Sequence, residues 1–279
     1  VTIDSKGAEL KHVFHKQHAL EYMWNADPAF WAKTSPVLFP VVGQLKGNAY
    51  AHNGRQYSLP RHGFARDKEF IPMKQDERSI LFSLQSSEET LAVYPFHFSF
   101  YLVYTLQEDE LTVTYRVQNT GDEEMLFSVG GHPAFKVPLV DGTTYEDYEL
   151  HFNREETAGR WPISADGRIG TTPEPLLHQT NVLPLTKKLF EKDAVVLKHL
   201  QSDAVQLRSG KTPHGLEFTF AGFPFLGLWA APGADFVCIE PWCGIADSVE
   251  SDGVLAHKEG IQRLAAGETF SVAWTVRFY

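Results

Sequence analysis

One histidine of the chain is held between two glycines and a proline. His132 stands in Gly130-Gly131-His132-Pro133-Ala134-Phe135, directly after a predicted strand over residues 125 to 129. Glycine permits a sharp turn or the close approach of a ligand, and proline ends a strand, so the backbone that presents this imidazole is constrained. Histidine changes charge near neutral pH, which suits it to acid–base work. The alternative is a histidine that packs at the end of a strand.

A glutamate closes one of the apolar runs. Glu240 follows Val237-Cys238-Ile239 and precedes Pro241-Trp242-Cys243-Gly244. A carboxylate in a buried strand costs free energy unless it is paired or functional, and Trp242 beside it offers a flat face to a ligand. With a histidine, this carboxyl group would provide the acid and the base of a proton transfer. The alternative is a glutamate in a salt bridge at the rim of a sheet.

Two charged segments are candidates for binding polar ligands. Arg61-His62-Gly63-Phe64-Ala65-Arg66-Asp67 sets two arginines around a histidine, a composition that suits hydroxyl groups or an oxyanion. Lys68 follows directly, so the segment would also suit a phosphate if it lay at a pocket mouth. In Phe190-Glu191-Lys192-Asp193-Ala194 one of the acids could bind hydroxyl groups. The alternatives are an ordered surface loop and a solvated charged turn.

Metal-binding patterns are weak in this chain. His12, His15 and His18 straddle a predicted strand and hairpin, so the three would not share one face, and no zinc site is expected there. Cys238 and Cys243 are too few and wrongly spaced for a metal site, and two cysteines exclude a disulfide framework. Free thiols fit a reducing compartment, and no apolar leader opens the chain, so we expect a cytoplasmic location.

The elements that must position these residues are strands. Apolar and polar residues alternate over 111 to 118 and over 270 to 278, and turn signals such as Glu108-Asp109 and Asp141-Gly142 separate such runs. The stretch from 223 to 242 predicts two buried strands joined by a turn. Helical signals are confined to short turns over 27 to 33 and 187 to 200. The pattern predicts an all-β chain, a large antiparallel β-sandwich that forms a single domain over residues 1–279.

Composition narrows the range of partners. The net charge is −10, from 25 basic and 35 acidic residues, so neither nucleic acid nor an anionic membrane surface is an expected partner. No glycine-rich phosphate loop follows a predicted strand, so no nucleotide cofactor is expected. Aromatic residues make up 13% of the chain, an excess that serves strand cores and also the flat platforms that bind sugars.

Several of these motifs together resemble the aldose 1-epimerase (galactose mutarotase-like) superfamily, and within it the LacX-like branch. The resemblance spans most of the chain and rests on these segments: Ser35-Pro36-Val37-Leu38-Phe39-Pro40, Arg61-His62-Gly63-Phe64-Ala65-Arg66, Tyr94-Pro95-Phe96, Tyr104-Thr105-Leu106, Gly131-His132-Pro133-Ala134-Phe135 and Ile239-Glu240-Pro241-Trp242-Cys243-Gly244. It implies a β-supersandwich fold and a site that needs no cofactor. It also implies that His132 is the general acid and Glu240 the general base, and that His62 and Asp193 bind sugar hydroxyl groups.

The chain departs from the family pattern at one position. Family members commonly carry an arginine that contacts the sugar in the segment equivalent to Gly43-Gln44-Leu45-Lys46, and here Gln44 takes that place. Either Arg66 or Lys46 compensates, or the substrate preference differs. We therefore expect Gln44 and Arg66 among the substrate-binding residues.

The expected function is interconversion of the α and β anomers of a hexose or hexose phosphate by a monomer or homodimer. Glu240 would be ionised and His132 protonated, each favouring the charge of the other. The rings of Phe64, Phe135 and Trp242 would stack on the sugar. The main alternative, favoured by Gln44, is a non-catalytic sugar-binding protein on the same fold. A glycoside hydrolase or lyase is less favoured, since a hydrolase needs two carboxylates across the bond.

Overall fold

The structure of the protein is a computed structural model that describes all 279 residues. Its strands in chain order are β1 (Thr2–Ile3), β2 (Leu10–His12), β3 (Phe14–His15), β4 (Leu20–Glu21), β5 (Val37–Leu38), β6 (Ala49–His52), β7 (Arg55–Ser58), β8 (Ile71–Gln75), β9 (Ser79–Gln85), β10 (Phe98–Gln107), β11 (Glu110–Asn119), β12 (Met125–Phe127), β13 (Val129–Gly131), β14 (Ala134–Lys136), β15 (Tyr148–Arg160), β16 (Glu174–Pro184), β17 (Val195–Lys198), β18 (Ala204–Ser209), β19 (Thr212–Thr219), β20 (Phe225–Trp229), β21 (Phe236–Cys243), β22 (Gln262–Leu264) and β23 (Thr269–Phe278). The predicted all-β class is confirmed.

Helical structure is limited to short pieces. One α-helix, α1 (Glu88–Val93), begins at Ser87, whose side chain accepts a hydrogen bond from the backbone of Thr90 while the Thr90 hydroxyl accepts one from the Ser87 backbone. This helix is not among the helical segments predicted from the sequence. The remaining helical segments are single 3-10 turns: Lys46–Asn48, Ala65–Asp67, Tyr145–Asp147, Lys187–Phe190 and Leu255–His257.

Two large antiparallel sheets dominate the fold. The larger has nine strands in the order β16-β15-β18-β19-β23-β11-β10-β9-β8, and the smaller has the order β17-β20-β21-β13-β5, with β14 also paired to β21. The predicted hairpin at Glu108-Asp109 joins β10 to β11, which pair over ten residues from Phe98 opposite Asn119 to Gln107 opposite Glu110. The stretch from 223 to 242 forms β20 and β21, as predicted.

Most of the core lies in one cluster of 66 buried residues. Aromatic rings bridge the two sheets: Phe135 of β14 packs edge-on against Phe218 of β19, with ring centroids 6.0 Å apart. The alternating face of β11 that includes Val113 and Tyr115 is fully buried. Every residue of β21 is buried, so this strand is covered on both faces.

The two glycines before His132 make room on the two faces of β13. A Cβ atom on Gly130 would lie 2.6 Å from the Trp242 ring, and one on Gly131 would lie 2.6 Å from the hydroxyl oxygen of Tyr115. Neither glycine has a positive φ angle. Their function in the fold is therefore close packing, rather than the sharp turn that the sequence suggested. This packing fixes the position of the end of β13, and with it the position of His132.

Gly227 of β20 offers a test of this packing. A Cβ atom there would lie 2.4 Å from the far end of the Trp242 indole. We expect Gly227→Ala to lower the free energy of unfolding by about 1–3 kcal/mol through overpacking, measured by urea denaturation. Gly210→Ala is the control, because no atom lies within 4 Å of a Cβ at that position. Equal stability of the two variants would contradict the packing role of Gly227.

Candidate active site

A pocket of about 310 Å³ lies over β20 and β21. Its volume is at the lower end of the range for small-molecule sites. Two neighbouring strands supply its centre, since β13 ends just before His132 and pairs with β21, the strand of Glu240. Loops from distant parts of the chain complete the wall with these residues: Trp31, Gly43, Arg61, His62, Arg66, Ile163, Gly167, Asp193, Ala194, Ile245 and Ala246.

The predicted acid and base are in direct contact. Nε2 of His132 lies 3.2 Å from Oε2 of Glu240, and their side chains are 11% and 2% exposed. The His132 ring packs against two indoles, with centroid distances of 4.9 Å to Trp31 and 5.6 Å to Trp229. The pair therefore occupies a largely dry, aromatic environment.

Burial sets the resting protonation of this pair. It lowers the pKa of His132 to about 3, and the positive charges of Arg66 and Arg61 act in the same direction. Burial raises the pKa of Glu240 well above its ordinary value, and the charge of Arg61 opposes that rise. Mutual attraction alone predicts the two charged forms, whereas burial favours both neutral forms. A neutral carboxyl–imidazole pair holds as many protons as the ion pair does, so one proton shift interconverts them.

His62 lies beside the pair in a strained backbone conformation. Its φ angle is +68°, its ring centroid is 5.9 Å from that of His132, and its Nδ1 accepts a hydrogen bond of 3.1 Å from the Gly43 backbone. Burial is the main cause that lowers the pKa of His62, and the positive charges of Arg61, Arg66 and Lys258 act in the same direction. A neutral His62 with Nδ1 as acceptor keeps its proton on Nε2 and can donate it to a ligand.

Asp193 and Arg61 face each other across the pocket wall. Nη2 of Arg61 lies 3.7 Å from Oδ1 of Asp193, which itself has a φ angle of +91°. Arg160 supports that conformation, because its guanidinium group donates to the backbone oxygens of Leu189, Asp193 and Ala194 at 3.2 to 3.4 Å. The charged segment that contains Asp193 therefore lies at the site, together with the segment that contains Arg61.

Two buried guanidinium atoms in the wall, the Nε atoms of Arg61 and Arg66, have no hydrogen-bond partner. Nε of Arg66 lies 3.7 Å from Oδ2 of Asp67, which is an ion pair without a hydrogen bond. Arg66 also donates from Nη2 to the Arg61 backbone oxygen at 2.9 Å, so it both lines the pocket and holds the loop. Lys68 lies elsewhere and pairs with Glu89.

Three predicted contact residues turn away from the pocket. The side-chain amide of Gln44 donates to the Leu45 backbone oxygen at 2.9 Å and to the Asn48 side chain at 2.5 Å. Phe135 packs between the sheets, and Phe64 packs on other rings of the core, with centroid distances such as 6.1 Å to Phe98. None of the three lines the pocket.

The aromatic wall consists of three indoles instead. Trp242 lines the pocket as predicted, and sequence reasoning missed Trp31 and Trp229. Their signals were present but unspecific, since Trp31 falls in the predicted turn over 27 to 33 and Trp229 ends an apolar strand. The rings of Trp31 and Trp229 meet edge to face at 5.4 Å, which ties the N-terminal turn to β20.

The three histidines near the N-terminus, His12, His15 and His18, do not come together as one group. His12 pairs with Glu21 at 3.3 Å, while the rings of His15 and His18 stack at 3.9 Å. His214 joins them from β19, 4.7 Å from the His18 ring. A group of donors suited to a metal ion lies at the floor of the site: one donor atom each of His132, Cys238 and Glu240, all within 4.8 Å of one another, of which His132 and Glu240 line the pocket and Cys238 is buried beneath it.

Comparisons with known proteins show the fold and the family of this chain. The fold is that of galactose mutarotase-like proteins: the structure of a galactose mutarotase related enzyme from Lactobacillus acidophilus superposes with a TM-score of 0.94 at 35% identity, covering 99% of this chain and 93% of that one. The model of the aldose 1-epimerase family matches residues 1–272, and the chain belongs to that family.

Other relatives match this chain over a similar length. A galactose mutarotase-like protein from Lactobacillus casei has a TM-score of 0.93 at 29% identity, over 99% of this chain and 96% of that one. The chromosomal LacX protein of Lactococcus lactis subsp. lactis is 33% identical over an alignment of 285 positions that covers 99% of this chain and 95% of that protein. The resemblance inferred from the motifs is confirmed. No helix has the length and apolar character needed to cross a membrane.

The neutral pair predicts opposite pH effects in two variants. The pKa of His132 is lowered in the folded protein, so below the ordinary pKa of 6.5 the unfolded chain binds a proton more readily. The contribution of His132 to stability therefore falls as the pH drops below 6.5. The raised pKa of Glu240 makes its contribution grow as the pH drops toward its ordinary value of 4.5. Between pH 7 and 5 the two contributions oppose each other in the native protein.

Each substitution removes one side of this balance. From pH 7 to 5, we expect the free energy of unfolding of Glu240→Gln to fall relative to the native protein, and that of His132→Asn to rise, by up to about 1.4 kcal/mol per pH unit. Urea denaturation at several pH values measures both. Parallel pH profiles for all three proteins would mean that the pair is not neutral at rest.

Proposed function

We propose that this protein is an aldose 1-epimerase, an isomerase that interconverts the α and β anomers of a hexose or hexose phosphate. The observation that supports this most directly is the contact of 3.2 Å between His132 and Glu240 in a buried pocket. Membership of the aldose 1-epimerase family and the indole wall, which suits the apolar face of a sugar ring, support the same conclusion.

Anomer exchange needs one base and one acid on opposite sides of a hemiacetal. Glu240 removes the proton of the C1 hydroxyl while His132 protonates the ring oxygen, the bond between C1 and that oxygen breaks, and an open-chain aldehyde forms. After rotation about C1–C2, the oxygen adds to the other face of the carbonyl and both protons return. The acid and the base are each restored, so no cofactor enters the balance.

In the free protein the acid and the base touch, so the sugar must come between them. Its hydroxyl groups replace the dry contact with polar partners, which favours the tautomer with an ionised Glu240 and a protonated His132. The charge of Arg61 lowers the pKa of Glu240 and favours the same tautomer. The neutral resting pair is thus one proton shift from the reactive form.

Hydroxyl binding falls to three groups in this proposal. Nε2 of His62 donates, the carboxylate of Asp193 accepts, and Arg61 supplies the cation that family members commonly place at position 44. Lys46 does not compensate, since its Nζ donates to the Ser251 backbone oxygen at 2.8 Å. Arg61 and Arg66 together line the pocket, so 6-phosphates belong in the substrate panel beside free hexoses.

We further propose that residues 1–279 form one domain that works in the cytoplasm as a monomer or homodimer. One cluster of 66 buried residues extends through both sheets, which supports a single unit. Cys238 and Cys243 are unpaired, as is usual for thiols in a reducing compartment.

Replacement of the base tests the reaction. We expect Glu240→Gln to slow mutarotation at least about 100-fold, because an amide accepts no proton at neutral pH. The measurement is the decay of optical rotation of α-glucose, α-galactose and their 6-phosphates. Glu124→Gln is the control, since Glu124 lies on the surface and pairs with Arg263. Binding of these sugars without any acceleration by the native protein would instead support the non-catalytic sugar-binding protein.

The substitution at position 44 yields a second test. Removing a charged partner of a substrate costs about 1.5–3 kcal/mol, so Arg61→Ala should raise KM roughly 10- to 150-fold. Gln44→Ala should change KM little, because the Gln44 amide bonds only to its own loop. Steady-state polarimetry over a range of sugar concentrations separates the two. A larger effect at Gln44 than at Arg61 would show that Arg61 does not take over the cation's role.

A further inference from the structure

A cysteine shares the buried face of β21 with the base. Cys238 precedes Glu240 by two residues, so the two side chains point to the same face of the strand. Cys238 is fully buried, and its sulfur is the third donor of the group that includes His132 and Glu240. The mechanism above assigns this thiol no function.

The three donor atoms approach the geometry of a metal site. Zinc bonds to sulfur, nitrogen and oxygen of about 2.0–2.3 Å place the ligands of a tetrahedral ion roughly 3.3–3.8 Å apart. The Nε2–Oε2 distance of 3.2 Å between His132 and Glu240 is already close to that value, and no two of the three donors are more than 4.8 Å apart. Side-chain movements of about an ångström would bring the three donors to these distances.

Charge and donor type select the class of ion. A thiolate, a carboxylate and a neutral imidazole carry two negative charges, so a divalent cation gives a neutral complex, which a dry pocket favours. Sulfur and imidazole prefer soft or borderline ions over Mg²⁺ and Ca²⁺. We propose that His132, Cys238 and Glu240 form a binding site for a soft divalent cation of the Zn²⁺ and Cd²⁺ class, and that the bound cation blocks the acid–base pair.

Binding balances as an exchange of protons for metal. The free cluster holds one proton on the thiol and one in the carboxyl–imidazole pair, and the ion displaces both, so two protons leave for each ion bound. The ion then binds the lone pairs of Glu240 and His132, so neither group can accept or donate a proton during the reaction of the sugar. Nδ1 of His132 has no hydrogen-bond partner that would orient it as a ligand. We therefore expect exchangeable binding, about 10- to 100-fold weaker than at a site with such a partner.

Cadmium titration tests the site directly. The readout is the ultraviolet charge-transfer band between thiolate and Cd²⁺, recorded for the native protein, Cys238→Ala and Cys243→Ala. Cys243 is a matched control, because it is buried in the same strand, five residues further and on the opposite face, and its Sγ contacts the Gly222 backbone oxygen. We expect one ion per chain in the native protein and in Cys243→Ala, and affinity at least about 10-fold lower with loss of the band in Cys238→Ala.

Two further variants keep the test decisive. Cys238→Ser replaces Cys238→Ala if the latter fails to fold, and Glu240→Gln keeps the thiol but removes the carboxylate, so it should weaken Cd²⁺ binding as well. No band with the native protein in excess Cd²⁺, or the same band in Cys238→Ala, would overturn the proposed site.

Inhibition rests on the proposed function and is measured separately. Cd²⁺ should abolish mutarotation by the native protein and by Cys243→Ala, a chelator should restore it, and Cys238→Ala should resist relative to its own metal-free rate. Equal inhibition of all variants would overturn the blocking of the pair by this ion. A band without any metal-free mutarotation would leave the metal site standing and contradict the epimerase instead.

Discussion

The burial of one carboxyl group governs the architecture around the site. Glu240 lies in a strand that is covered on both faces, where an unpaired carboxylate would be costly, and its near partner is the imidazole of His132. That contact requires β13 to end beside β21, which in turn requires Gly130 and Gly131 to clear the Trp242 ring and the Tyr115 hydroxyl. The larger sheet thus sets the position of His132, because Gly131 packs against the Tyr115 hydroxyl of that sheet.

The loops of the pocket are fixed by buried charges of their own. Asp247 pairs with Lys258 at 3.2 Å, and the same carboxylate accepts a hydrogen bond from the Lys46 backbone, which holds the segment that carries Gly43. Glu9 accepts hydrogen bonds from the backbones of Thr34 and Ser35 and holds the entry to β5 in the same way. These charges bind backbone rather than substrate, so the loops keep a defined shape without regular secondary structure.

The sequence predicted the parts of this site that local backbone constraint reveals. His132 and Glu240 were recognisable because glycine, proline and an apolar strand restrict where their side chains can lie. Period-two alternation also predicted the sheets, but it does not say which face meets a ligand, so Phe64 and Phe135 were placed at the sugar when they belong to the core. Trp31 is a different case, since the fold brings it from a turn a hundred residues away in the chain. No local sequence pattern predicts a contact between residues so far apart in the chain.

Protonation was the least predictable property, because it depends on water rather than on residue type. Opposite charges in solvent favour each other, and that reasoning alone gives an ion pair; enclosure of His132 by Trp31 and Trp229 reverses it. A dry, neutral pair avoids the cost of two buried charges, and in the proposed reaction one proton shift converts it into the ion pair when a polar ligand enters. The same dryness keeps the thiol of Cys238 next to the carboxyl group without repulsion. Because these groups are neutral at rest, their donor atoms lie within 4.8 Å of one another without repulsion, and the proposed cation site rests on that arrangement.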